Sequence, residues 1–249
     1  MQPTAVGASV GVFGPTPNTP AVSDDDLRQV RHEVRREAAP FALAILCANG
    51  LLALVSRRAG WEVFGSRDWW IWLLLAVPSG LLVLTLAVGP SRLGLERLQR
   101  EIAIVLLVPL GAGTGAATLC LIVSLTRGTP TGLQLLVSAV TVLVTSVITY
   151  ALVFWELDSG GPIARARAET RAHPDFQFPQ DENRELAQPG WAPALVDYLY
   201  LSLTNSVAFS PTDAMPLTHR AKLVMGLEAG LSALTVLVVA ARAINILGS

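Results

Sequence analysis

Long stretches without any charged residue alternate with short charge clusters along this chain, and this alternation constrains the fold more than any other feature. The charges concentrate in residues 24–37, 57–68, 92–101 and 156–197. A bilayer core about 30 Å thick requires roughly 20 apolar residues in a helix that rises about 1.5 Å per residue. Because most of the uncharged stretches reach that length, the sequence predicts an all-α integral membrane protein.

Five hydrophobic segments follow from this pattern, and they cover residues 41–55, 69–88, 102–126, 133–155 and 217–247. The first four contain no charged residue, whereas the last also contains Arg220, Lys222, Glu228 and Arg242. The first is the weakest candidate for a span because Asn49 and Gly50 interrupt it. The second is expected to span comfortably, with tryptophans at one end as interfacial anchors. Pairs of glycines four residues apart, Gly111/Gly115 and Gly226/Gly230, predict close helix approach.

The chain divides into four predicted regions. Residues 1–23 are polar and rich in Pro and Gly, which predicts a disordered tail without a cleavable signal peptide. Residues 24–39 predict an amphipathic interfacial helix, because an apolar stripe underlies a charged face. Residues 40–131 would supply three membrane helices. Residues 132–249 would form a separate pore-like module.

Composition excludes several classes of function. A mean hydropathy of +0.51 is unlike an ordinary soluble domain, and a net charge of −1 gives no basic stripe for nucleic acid. The chain has no metal-ligand set, nucleophile motif or phosphate-binding glycine loop, so we expect neither an enzyme nor a cofactor. Cys47 and Cys120 lie in apolar stretches and are expected to be buried thiols.

The pore-like module follows a particular order. An outer helix at 133–155 precedes a hydrophilic connection at 156–193, a short amphipathic segment at 197–205, a polar dip and a long inner helix at 217–247. A bilayer tolerates non-helical backbone at depth only where it lines a cavity or is buried in protein. The polar dip after a re-entrant half-helix is therefore a candidate pore lining.

Two runs in this module carry a resemblance to known proteins: Trp155-Glu156-Leu157-Asp158-Ser159-Gly160-Gly161-Pro162 and Asp197-Tyr198-Leu199-Tyr200-Leu201-Ser202-Leu203-Thr204-Asn205. The module resembles the pore domain of the potassium-channel superfamily, and more closely a set of uncharacterised bacterial membrane proteins. Residues 202–216 align without a gap with the channel pattern S-F-T-T-L-T-T-V-G-Y-G-D-x-x-P. Ser202, Thr204, Asp213 and Pro216 match it.

The alignment fails at the potassium filter itself. The glycines of the G-Y-G triplet permit the left-handed backbone that aims successive carbonyls at the ion. Here the triplet is Ser210-Pro211-Thr212. Proline fixes φ, and a β-branched residue rarely takes a positive φ, so potassium selectivity is not expected. The candidate lining residues for another ion are Thr204, Asn205, Ser206, Phe209, Ser210, Pro211, Thr212 and Asp213.

Three interpretations remain open: a pore of other selectivity, a channel-like scaffold or sensor subunit that does not conduct, and a helical bundle whose loop merely packs. Asp213 would concentrate cations at a pore mouth, or it would form a turn that caps the last helix. Asn205 would line the pore, or it would end the half-helix as a cap. Glu228 lies inside the last span, where an ionisable residue is costly and is by default a functional hypothesis.

The partners follow from the same interpretation. They are the lipid bilayer, inorganic ions and further copies of the chain, with a tetramer favoured because one module encloses no pore alone. A multi-pass protein of the bacterial cell membrane is expected. Its orientation is open: the positive-inside rule places the pore-like loop in the cytoplasm, whereas potassium channels insert theirs from outside.

Overall fold

The protein is mostly helical in the computed structural model, which describes residues 24–61, 69–88, 96–127, 132–167, 173–208 and 214–247. Four long helices come first: α1 (Asp24–Ala59), α2 (Ile71–Val88), α3 (Glu96–Arg127) and α4 (Gly132–Leu157). A 3-10 turn (Asp158–Gly160) then leads to the short helices α5 (Pro162–Arg167) and α6 (Pro179–Glu182). Helices α7 (Leu195–Ala208) and α8 (His219–Leu247) complete the chain.

Four helices in the described residues are long and apolar enough to cross a membrane, and their spans are Arg28–Ala59, Arg100–Leu125, Gly132–Gly160 and His219–Ala241. The prediction of a membrane-embedded helical protein is thus supported. The segment at 41–55, which the sequence made the weakest candidate, belongs to one of the longest helices. The apolar part of α2, Ile71–Ala87, is shorter than the four candidate spans.

Helix α1 also joins two regions that the sequence separated. The predicted interfacial helix and the first span form one continuous helix, which passes through Pro40. The polar interruption does not end it, because the Asn49 amide donates a hydrogen bond to the Ile45 carbonyl at 2.9 Å within the helix. Because the Asn49 amide finds its hydrogen-bond partner within the helix, it does not compete for other backbone groups, and the helix continues.

The distribution of side chains is that of a membrane protein. Leucine and valine side chains face outward on the long helices, for example Val77, Val105 and Leu119. Hydroxyl and carboxyl groups lie inside, including Thr118, Thr235 and Glu228. Lipid replaces water as the outer solvent in such a protein, so an apolar exterior has no cost and polar groups must find partners inside.

Helix α4 is the centre of the bundle and contacts α1, α3, α7 and α8. At its C-terminal end, a chain of edge-to-face and tilted ring contacts joins α4 to the hydrophilic connection and α7; its rings are Tyr150, Phe154, Phe176, Tyr198, Phe178 and Trp191. Strand β1 (Phe176–Gln177) pairs antiparallel with β2 (Met215–Pro216), with Phe176 opposite Pro216. The connection between α4 and α7 is therefore fixed to the start of α8.

Candidate functional site

Glu228 is fully buried on α8 and holds a cluster of hydrogen bonds with α7. The Asn205 side-chain amide donates to one carboxylate oxygen at 2.7 Å, and the Ser206 hydroxyl donates to the other at 3.1 Å. The Ser202 hydroxyl bonds the same oxygen as Ser206. We call these four residues the Glu228 cluster. Its Ser202, Asn205 and Ser206 side chains satisfy an ionisable group that would be very unfavourable alone in a membrane interior.

The orientation of Asn205 in the cluster is determined by its second partner. Its amide nitrogen also donates to the Met225 carbonyl at 3.0 Å. A carbonyl oxygen only accepts, so the nitrogen must face it, and its two hydrogens reach Met225 and Glu228. The amide therefore stands as a fixed donor beside the carboxyl group.

The Ser202 hydroxyl has one hydrogen but two acceptors. It lies 2.8 Å from the Val147 carbonyl on α4 and also contacts the Glu228 carboxyl group. When Glu228 is ionised, Ser202 can donate to it; when Glu228 carries a proton, that proton can bond Ser202, which then donates to Val147. The cluster can thus gain or lose a proton without leaving the Ser202 or Glu228 side chain unsatisfied.

Further polar groups continue from the cluster into the bundle. The Ser232 hydroxyl donates to Ser206 at 3.0 Å, and one turn further along α8 Thr235 bonds Thr118 of α3 at 3.0 Å. On α4, next to Val147, three buried hydroxyls have no hydrogen-bond partner among the described residues: those of Ser146, Thr149 and Tyr150. We call this whole set, together with the Glu228 cluster, the polar seam.

Two contacts position helix α7 against α8: one at its N-terminus and one through the Tyr198 side chain. Asp197, at the third helical position, accepts a hydrogen bond from the Ala194 backbone at 2.8 Å, which satisfies a free donor at the N-terminus. Tyr198 is completely buried, and its hydroxyl donates to the Asp158 carboxylate beyond the end of α4. These contacts set the register in which Ser202, Asn205 and Ser206 face α8.

Asp158 and Asp175 form a second polar centre at this end of the bundle. Asp158 accepts from the Asp175 backbone at 2.8 Å. Asp175 in turn accepts two bonds of 2.6 Å from the Arg220 guanidinium and one from Thr218. Burial opposes ionisation of Asp175, but the hydrogen bonds from Arg220 and Thr218 and the charge of Arg220 hold its pKa below the usual value.

The sequence analysis did not identify this second centre, although the centre draws residues from both runs that carry the channel resemblance, 155–162 and 197–205. Asp158 and Tyr198 are 40 residues apart and belong to different runs, which the hydrogen bond between them joins. An acidic residue directly after a long apolar helix was the available signal. Arg165 strengthens the junction, since its guanidinium donates to the Trp155 and Asp158 carbonyls at 2.8 and 2.7 Å.

The predicted lining residues fall into separate groups. Asn205 and Ser206 join Glu228, whereas the Thr204 hydroxyl donates to carbonyls of its own helix at 3.0 Å. The alternative of Asn205 as a helix cap was wrong, because α7 continues to Ala208. The predictions for Phe209, Ser210, Pro211, Thr212 and Asp213 lie outside the described residues.

The cap of the last helix comes from a residue that the sequence analysis did not select. Helix α8 begins at His219, and the Thr218 hydroxyl accepts from the Ala221 backbone at 3.3 Å. Thr218 therefore occupies the N-cap position of α8.

Comparison with protein-family models, curated proteins and solved structures found no match to this chain.

Proposed function

We propose that this protein is a multi-pass protein of the cell membrane that conducts ions other than potassium, with the Glu228 cluster as the ion-binding site within the membrane. The observation that carries the proposal is the complete burial of Glu228, an ionisable group inside a candidate span, among donors from α7. Ionisable residues at such depth are rare and mark ion and proton pathways.

The polar seam supplies further support. A buried hydroxyl without a partner is unfavourable by about 1–3 kcal/mol, and Ser146, Thr149 and Tyr150 contribute three of them on one side of α4. Hydroxyl and carbonyl oxygens are suitable ligands for a cation that has lost part of its hydration shell. The seam therefore offers favourable contacts to a permeating ion at several depths.

The proposal includes the re-entrant arrangement that the sequence predicted. Helix α7 would be the half-helix that precedes the filter-like loop, and a ring of copies, a tetramer in the simplest case, would enclose the pore. The Ser210-Pro211-Thr212 triplet is incompatible with a potassium filter, which leaves protons, sodium and other ions as candidates.

A second candidate function is a non-conducting scaffold or sensor subunit. The observation that favours it is that both Glu228 carboxylate oxygens already accept hydrogen bonds within one chain. In that case the cluster is a structural latch that fastens α7 to α8, and ions need not enter it.

Ion flux into liposomes separates the two candidates. Purified protein is reconstituted, and uptake of sodium, potassium, protons and chloride is followed for the wild type and Glu228→Gln. Conduction predicts a flux that falls at least tenfold in the variant, because the charge that binds the ion is gone. Glu101→Gln, an exposed acid on α3, is the matched control and should conduct normally.

The latch predicts the opposite pattern. Wild-type liposomes would then be silent at every pH and voltage, and Glu228→Gln would show only a lower melting temperature. An unchanged flux in Glu228→Gln, with normal folding, would remove Glu228 from the pathway even if the protein conducts.

A further inference from the structure

A cavity of about 450 Å³ opens at one end of the helix bundle, away from the Glu228 cluster. It lies between α1, α2, α3, α4 and the turn that begins α5, and its volume is in the range of pockets that enclose small ligands. Most of its wall is apolar, with Ala38, Leu82 and Leu107 as examples. Two charged residues, Arg100 and Glu156, also line it.

The cavity lies at the depth where lipid head groups meet acyl chains. Arg100 begins the candidate span of α3, and Glu156 is close to the end of the candidate span of α4. Helices α3 and α4 are consecutive and packed together, so the start of one and the end of the other lie on the same side of the membrane. The charged groups therefore face the interface while the apolar wall extends towards the hydrocarbon core.

The two charges stand beside the same backbone position. A Cβ added to Gly161 would lie 2.9 Å from a Glu156 carboxylate oxygen and 3.5 Å from the Arg100 Nε. Gly161 has a φ of +95°, which together with this crowding makes a side chain there unfavourable. The glycine thus allows a cation and an anion to approach one point at the cavity wall.

Opposite charges at one site restrict the ligand. Arg165 also acts on Glu156, but its guanidinium donates to the Trp155 and Asp158 carbonyls, and Arg100 is the cation that lines the cavity. A singly charged ligand would be attracted by Arg100 or Glu156 and repelled by the other, whereas a zwitterion complements both. The arginine fork matches phosphate oxygens, and a carboxylate accepts hydrogen bonds from an ammonium group. An apolar tail would fill the rest of the cavity.

We infer that this cavity binds a phospholipid whose head group carries a phosphate and a free ammonium group. Arg100 contacts the phosphate, Glu156 accepts from the ammonium, and one acyl chain lies against Ala38, Leu82 and Leu107. The inference is independent of ion conduction, because none of these residues belongs to the polar seam.

Native mass spectrometry with titrated lipids tests the inference. Phospholipids with identical acyl chains and either phosphoethanolamine, phosphocholine or phosphoglycerol head groups are added to the purified protein. The ethanolamine lipid should bind about tenfold more tightly than the other two, the size expected for one charge-assisted hydrogen bond. Glu156→Gln should abolish this preference, and Arg100→Gln should weaken binding of all three lipids.

Two further variants keep the test decisive if a charge substitution disturbs folding. Ala103 lies on the cavity wall, and Ala103→Leu should weaken the binding of all three lipids equally, since the larger side chain reduces the space for the acyl chain. Arg58→Gln removes an exposed cation at the other end of α1 and should change nothing. Equal affinity of the wild type for the three lipids would overturn the inference. So would a preference for the ethanolamine lipid that is unchanged in Glu156→Gln.

Discussion

Asp175 is the residue through which the hydrophilic connection is joined to both α4 and α8. Its backbone N–H donates a hydrogen bond to the Asp158 carboxylate beyond α4, and its own carboxylate accepts bidentate hydrogen bonds from the Arg220 guanidinium on α8. The carboxylate is completely buried, whereas the Arg220 side chain is 55% exposed. The arginine therefore keeps part of its hydration while it is paired, and the interaction depends on the ionised state of the buried Asp175.

We expect Asp175→Asn to lower stability by about 2 kcal/mol at neutral pH, because it removes charge-assisted hydrogen bonds at a buried site. Since the folded state holds the pKa of Asp175 below its unfolded value of about 4, this stabilisation is present above pH 4 and is lost as pH falls through the lower, folded pKa. Melting temperatures of both proteins from pH 3 to pH 7 should therefore converge on acidification.

Glu182→Gln provides the control for this pH profile, because Glu182 is an exposed acid in the same connection. It should follow the wild type at every pH. A loss of stability in Asp175→Asn that is the same at pH 3 and pH 7 would mean that the shape of the side chain matters and its charge does not.

Single residues differ in how far the sequence predicts their surroundings. The interior position of Glu228 follows from its place in a span, because exposure of a carboxylate to lipid is unfavourable. Its partners do not follow, since Ser202, Asn205 and Ser206 face it only in the register that Tyr198 and Asp158 impose on α7. Such a long-range hydrogen bond leaves no periodic pattern in the sequence.

On α3, the glycine that a neighbouring helix approaches most closely is Gly113, not a member of the predicted Gly111/Gly115 pair. A Cβ on Gly111 would lie 4.0 Å from the Tyr150 hydroxyl, and one on Gly115 would lie 3.5 Å from a Leu231 methyl, both ordinary contacts. At Gly113 the same Cβ would lie 2.1 Å from a Leu75 methyl of α2. Spacing alone identifies small residues, but only packing decides which of them another helix covers.

We expect Gly113→Ala to lower stability by about 1–3 kcal/mol, because Leu75 is packed and must move to admit the methyl group. Gly115→Ala should be neutral or stabilising by up to about 1 kcal/mol through its better helix propensity. Thermal unfolding of both variants in one detergent measures the difference. In a Leu75→Ala background, Gly113→Ala should cause little further loss of stability. A loss as large as in the wild-type background would contradict a clash with Leu75.

Element lengths explain which helices the sequence predicted well. Helices α4 and α8 contain long stretches of high mean hydropathy, so their existence follows from the hydropathy pattern alone. The division of α1 into two segments was wrong because Asn49 is satisfied within the helix and Pro40 does not end it. The small β1–β2 pair lay beyond prediction, since two-residue strands leave no alternation to detect.

At the scale of the whole molecule, α8 has an outer face that nothing in the described chain covers. Gly226 and Gly230 lie on this face, and an added Cβ at either position would have no neighbour within 4 Å. Leu223 and Leu227 beside them are strongly exposed. The close helix approach predicted for these glycines is therefore not made within the described chain. The pore proposal assigns this face to a second copy.

We expect Gly226→Leu to weaken or abolish the oligomer while the fold of the single chain is retained. A leucine there keeps two helices from the close contact that a small-residue face allows. Its Cβ would have no neighbour within 4 Å in the described part of the chain. Ala112→Leu adds similar bulk to an exposed position on α3 and should leave the assembly intact. Mass measurement in nanodiscs, with melting temperature as the check on folding, distinguishes the variants. A wild type that is monomeric at all concentrations, or a Gly226→Leu tetramer as stable as the wild type, would exclude this face as the contact between copies.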